Sequence, residues 1–178
     1  WTKTDQPLLI ETEGAQQSDG LTAGYMNFHR PSLHWEDERW RMWFDYWHPK
    51  LRATCMGCAE NTGAFDSPGG FKPVHDLAKP LLVQWPNPEV VHIGNKYYAF
   101  GDPPGYPTSA GPGQGWRSRA ICEAESDDGL VWRIVGFIPP DPDTAACHVP
   151  QALVTRMDGK TWLYVFYATQ RGGTTNAM

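Results

Sequence analysis

The chain has no apolar stretch approaching the roughly 20 residues that a bilayer-spanning helix requires, and no basic n-region with an apolar h-region opens it. Runs of Lys or Arg are also missing, and the formal charge is −5, so neither nucleic acid nor an anionic membrane surface is the expected partner. Cysteine is scarce. Cys55 and Cys58 form a Cys-x-x-Cys pair, but a structural zinc site needs four ligands, and a redox motif needs a βαβ context that is not there. The default for Cys55, Cys58, Cys122 and Cys147 is therefore buried thiols packed as small apolar groups, with a disulfide the alternative in a secreted protein. The Gly/Pro-rich stretch 101–115 lacks a Gly-Lys-Ser/Thr ending, which excludes a phosphate loop. No Asp-rich loop has calcium-ligand spacing, so no metal and no cofactor is expected.

What is present points to an all-β protein. Apolar residues make up 40% and aromatic residues 13% of 178 positions, enough for a sizeable core. The 18 glycines and 16 prolines fall between apolar runs, as turn punctuation does. Three segments share one plan, a proline, a short apolar run, a polar tip and an aromatic run: "HRPSLHWEDERWRMWFDYW", "PNPEVVHIGNKYYAFGD" and "HVPQALVTRMDGKTWLYVFYAT". Their prolines, Pro31, Pro88 and Pro150, are 57 and 62 residues apart, the size of a four-stranded propeller blade. Each segment reads as a β-hairpin, because β-branched and aromatic residues flank turn residues. A third strand repeats as "RATCMGCAEN" and "RSRAICEAES", and a fourth element opens at Phe71, at Trp132 and at Trp1.

The expected fold is thus an all-β propeller of four-stranded antiparallel blades with about three blades' worth of chain. Residues 1–29 form an outer strand and connector, 30–86 and 87–147 two blades, and 148–178 half of a further one. Closed propellers need typically four to eight blades. Other copies of the chain, or further blades of a longer one, are expected to complete the ring.

Two motifs carry a family resemblance. "NPEVVHIGNKYYAFGD" and "AESDDGLVW" are similar to the strand pair and the Ser-x-Asp-Gly-x-x-Trp turn of the five-bladed β-propeller glycosidases, the arabinanase/β-xylosidase, invertase-like and anhydrogalactosidase-like families. The resemblance covers most of residues 27–170. It implies a glycoside hydrolase-like protein acting on an extracellular poly- or oligosaccharide through an axial pocket, and a secreted, periplasmic or extracellular location. The family's Asp before the blade proline is replaced here by Arg30, Asn87 and Val149. Asparagine is no base, so the family's acid pair does not carry over directly. The alternative is a non-catalytic glycan-binding or structural propeller that assembles through exposed blade edges.

Strand geometry selects site residues without the family, since first-strand starts and the loops after second strands meet at one end of a blade. Polar residues beside a blade proline stand where a buried inner strand would be apolar. Glu89, His148 and Asp102 are the catalytic candidates, with Glu89 the carboxylate and His148 the acid. Alternation places Glu89 and Asn87 on one face. His29, Arg30, Asn87 and Gln151 are candidates for binding sugar hydroxyls, and Trp85, Tyr106 and Trp116 for stacking on sugar rings. Asp141 and Asp143 rank behind them, and the acids of "SDDGLVW" read as turn formers.

Overall fold

Turn chemistry at the hairpin tips sets the pairing of the whole chain. The computed structural model describes Leu8 and residues 26–102, 120–140, 143–171 and 176–177, and among these there is no helix. The chain divides into two compact units, Trp1–Val83 and Gln84–Met178. All strand pairs are antiparallel.

In the first unit, β1 (Met26–Glu36), β2 (Arg39–His48), β3 (Ala53–Asn61) and β4 (Lys72–Pro73) lie in sequence order in one sheet, and β5 (Leu82–Val83) also pairs with β3. Asp37 and Glu38 join β1 to β2 with φ of 47° and 59°, the double positive φ that a two-residue type I′ turn demands. β2 is buried almost end to end, so aromatic residues occupy both of its faces. Met42, Phe44 and Tyr46 point to one face and pack with Cys55, Phe71 and Leu77. Each fully buried ring there contributes roughly 2–3 kcal/mol of hydrophobic stabilisation. On the opposite face the buried Arg41 is held by Glu36 at 3.0 Å and Glu60 at 2.8 Å and lies over the Trp43 ring. Trp35, by contrast, is exposed.

The fourth strand of this copy departs from expectation. It is split into β4 and β5, because Pro73 and Pro80 cannot donate to a ladder. The His75 imidazole fills the gap: its Nε2 accepts the Cys58 N–H at 3.1 Å, while Nδ1 faces the carbonyls of Asp76 and Lys79.

The second unit holds a four-stranded meander of β6 (Glu89–Ile93), β7 (Lys96–Gly101), β8 (Ile121–Ser126) and β9 (Arg133–Ile138). Beside it stands the hairpin of β10 (Thr144–Met157) and β11 (Lys160–Arg171), with β12 (Asn176–Ala177) pairing at Thr169 and Gln170. Its Asp158-Gly159 tip has φ of 52° and 72°. Ala152, Val154, Val165 and Tyr167 of this hairpin pack on Val91, Phe100 and Ile121. In the turn before β9, Asp128 accepts the N–H groups of Leu130 and Val131, both at 2.8 Å, which makes it a turn former. The Glu shared by the two third strands is an ion-pair position: Glu60 takes Arg41, and Glu125 takes Lys96 at 3.2 Å and Arg133.

Each copy is irregular at its proline. Register shifts lie between His29 and Ser32 and between His148 and Gln151, as a residue with no N–H requires. The residue before each proline is left-handed in all three copies, with φ of 53° at Arg30, 55° at Asn87 and 54° at Val149.

Candidate functional site

The left-handed position and its proline bring a buried carboxylate into play. Asp45 lies 14 residues after Pro31 and Asp102 lies 14 after Pro88, so the two occupy one repeat position at the end of the second strand. Both are fully buried. Two elements place each of them: the second strand contains Asp45 and leads directly into Asp102, and the irregular first-strand start turns a donor toward it.

In the first unit, Asp45 pairs with His29, whose Nδ1 meets Oδ1, and with Arg30 at a long 3.5 Å to Oδ2. His29 and Arg30 are themselves about half exposed, with side-chain values of 45% and 50%. A buried carboxylate paired with Nδ1 leaves Nε2 as the nitrogen directed elsewhere. That is the arrangement of an oriented acid–base imidazole.

In the second unit, Asn87 Nδ2 donates to Asp102 Oδ2, and the Val149 N–H donates to Oδ1 at 2.5 Å. The third copy has Ala168 opposite His148 and no Asp of its own. Its backbone therefore uses the carboxylate of the copy before it. Asp102 is also tied down through its own N–H, which donates to the Pro86 carbonyl at 2.9 Å, and its charge helps burial push the Cys122 thiol up to about 12.

Glu89 is half-buried, and Oε1 accepts the Ala152 N–H at 3.3 Å. Burial raises its carboxyl above the ordinary range, and the Ala152 bond offsets only part of that. The positive φ at Asn87 interrupts the alternation expected between it and Glu89, so separate contacts place the two. His148 is buried at the start of the third copy. Gln151 is exposed and lines an apolar groove of about 560 Å³ with Val149, Val165, Phe166, Tyr167 and Ala168.

Trp85 presents no stacking face. Only 1% exposed, its indole lies over Gly101, where an added Cβ would overlap Nε1 and come within 2.6 Å of Cε2. The glycine admits the ring, and the ring is thereby used in packing. Tyr106, Trp116 and Asp141 lie outside the described residues, and Asp143 is exposed. Asp45 was not among the residues singled out from the sequence. The signal was its offset from the blade proline, identical to that of Asp102. All four cysteines are buried thiols outside any disulfide.

Comparison with known proteins bears on the fold. No family model and no curated protein matches the chain. Among solved structures it is similar to a glycoside hydrolase at 14% identity and a TM-score of 0.61, covering 97% of this chain and 49% of that one. It is also similar to a family 117 glycoside hydrolase produced by the marine bacterium Zobellia galactanivorans, at 15% identity and a TM-score of 0.56, covering 94% and 55%. An α-L-arabinofuranosidase from Lactobacillus brevis matches at 12% identity and a TM-score of 0.56, covering 82% and 46%. The chain thus spans about half the length of these structures, and at such identities what they share with it is the fold.

Proposed function

We propose that the chain is a glycoside hydrolase-like β-propeller that acts on an extracellular poly- or oligosaccharide, with its chemistry at the polar starts of the blades. The observation that carries this reading is the His29–Asp45 pair, an exposed imidazole oriented by a fully buried carboxylate beside a half-exposed guanidinium. Glycoside hydrolysis needs a proton donor for the leaving oxygen and a base for water. His29 fits an acid–base role, with Asp45 as its positioning residue and Arg30 as a donor to sugar hydroxyls. In the second unit Glu89 is the proton donor, since its raised pKa keeps the carboxyl protonated further toward neutrality. Asp102, buried and doubly bonded, positions Asn87.

Release of reducing ends from arabinan, xylan and 4-nitrophenyl glycosides tests this. Hydrolysis is expected in the unaltered chain, with His29→Gln lowering kcat by about 100-fold or more and leaving KM nearly unchanged. Glu89→Gln is expected to remove one limb of the pH profile. Full activity in both variants would overturn the assignment. The burial of both Asp45 and Asp102 favours a second reading, glycan binding without hydrolysis. Calorimetric binding heat without new reducing ends would select it.

A further inference from the structure

The end of the first unit that holds Asp45 is basic, in a chain whose formal charge is −5. Three segments meet there: the start of β1, the loop from β2 to β3, and the turn at 76–79 that leads into β5. The His48 ring holds that turn in place, with Nε2 at 3.3 Å from the Ala78 carbonyl. Among the described residues of the unit, Arg30, Lys50, Arg52 and Lys79 bring positive charge to this end, and its acids are Asp45 and Asp76. Each of these cations is exposed. Both acids are engaged within the chain, Asp45 buried against His29 and Asp76 accepting the Ala78 N–H at 2.9 Å. The acidic run Glu36, Asp37 and Glu38 lies at the opposite end, around the β1–β2 tip.

The repeat singles out Arg30 within this group. The residue before the blade proline is left-handed in all three copies, and its two counterparts, Asn87 and Val149, are uncharged. Both of those are turned onto Asp102, one through its side-chain amide and the other through its N–H. Arg30 is held more loosely. Its Nη1 reaches Asp45 Oδ2 only at 3.5 Å, while Oδ1 takes His29. The side chain is 50% exposed, and among the described residues its guanidinium has no further partner. A guanidinium offers its N–H groups as a fork that fits an oxyanion through two parallel bonds. Exposed cations around such a fork raise the local concentration of an anionic ligand and do nothing comparable for a neutral one.

We propose that the His29–Arg30–Asp45 site takes an anionic sugar, with Arg30 bonded to its carboxylate or sulfate group and Lys50, Arg52 and Lys79 drawing the glycan in. The assignment rests on the carbohydrate reading above and narrows its substrate class to acidic glycans.

Isothermal titration calorimetry at low salt tests it, with trigalacturonate, a sulfated carrageenan tetrasaccharide and xylotriose as probes. At least one anionic probe is expected to bind about tenfold or more tightly than xylotriose, and which one does so tells carboxylate from sulfate. Arg30→Gln is expected to bring that ratio close to one. Replacing Lys50 and Arg52 together by Gln is expected to reduce the salt dependence and keep the preference. Near-UV circular dichroism checks that each variant keeps its packing. Equal affinities for the three probes overturn the proposal, as does a folded Arg30→Gln variant that retains the preference, or a chain that binds none of them. Binding is read apart from catalysis, so the two readings fail separately. Hydrolysis of xylan or arabinan without any anionic preference removes the acidic substrate and leaves the glycosidase; tight anionic binding without new reducing ends does the reverse.

Discussion

Val149 is a β-branched residue with φ of 54°, a conformation in which the Cβ crowds the following carbonyl at a cost of about 1–2 kcal/mol. Its N–H bond to Asp102 holds it there. Val149→Gly keeps that bond and removes the crowding, while the added freedom of the unfolded chain takes back part of the gain. A net stabilisation of about 1 kcal/mol is expected in urea unfolding; destabilisation would mean that the side chain is repaid by packing. Gly101→Ala has the opposite sign. The new Cβ meets the Trp85 ring, backed by a full core, and a loss of about 1–3 kcal/mol is expected in the same measurement. Polar side chains at blade prolines were legible because they break an apolar pattern. Asp45 was not, because an acid inside an aromatic strand reveals itself only when the repeat is followed into the second strand. There the third copy misleads: its hairpin is two residues longer per strand, with its tip at Asp158 instead of six residues past the proline as at Asp37 and Gly94.

At the scale of the element, His75 stands in for backbone between β4 and β5. Burial lowers its pKa, and the carbonyls of Asp76 and Lys79 only partly counter that. The native ring therefore stays neutral where the unfolded ring, with a pKa of about 6.5, has begun to charge. More protons bind the unfolded chain in that window, so stability is lost as pH falls from about 6.5 toward the folded value and levels off below it. In His75→Gln, which retains an acceptor for the Cys58 N–H, the difference from the unaltered chain in thermal unfolding should grow steadily smaller as pH falls through that window. A pH-independent difference would remove His75 as the cause. The three hairpins were legible in the sequence because Asp-Gly, Gly-Asn and a charged tip interrupt alternating apolar runs. The fourth strand of the first copy was not, since a side chain completing a ladder leaves no periodic trace.

For the molecule as a whole, the four thiols report on packing in both units. Burial raises Cys58 above the usual thiol range and Cys122 to about 12, so native thiolate is scarce near neutral pH. A colourimetric thiol reagent is expected to find almost no reactive cysteine in the native chain and four after denaturation. Early reaction of Cys55 and Cys58 alone would show the first unit opening separately from the second. The meander order of the sheets bears on how the molecule is made. Neighbouring strands within β1–β4 and within β6–β9 are also consecutive in sequence, so few pairings wait for distant chain. Loop closure costs least at the two-residue turns that join β1 to β2 and β6 to β7, and these hairpins are the first pairings open to the chain. On the ribosome, β1 to β3 can therefore zip together before β10 has been translated, and the polypeptide is built up sheet by sheet in the order in which it emerges.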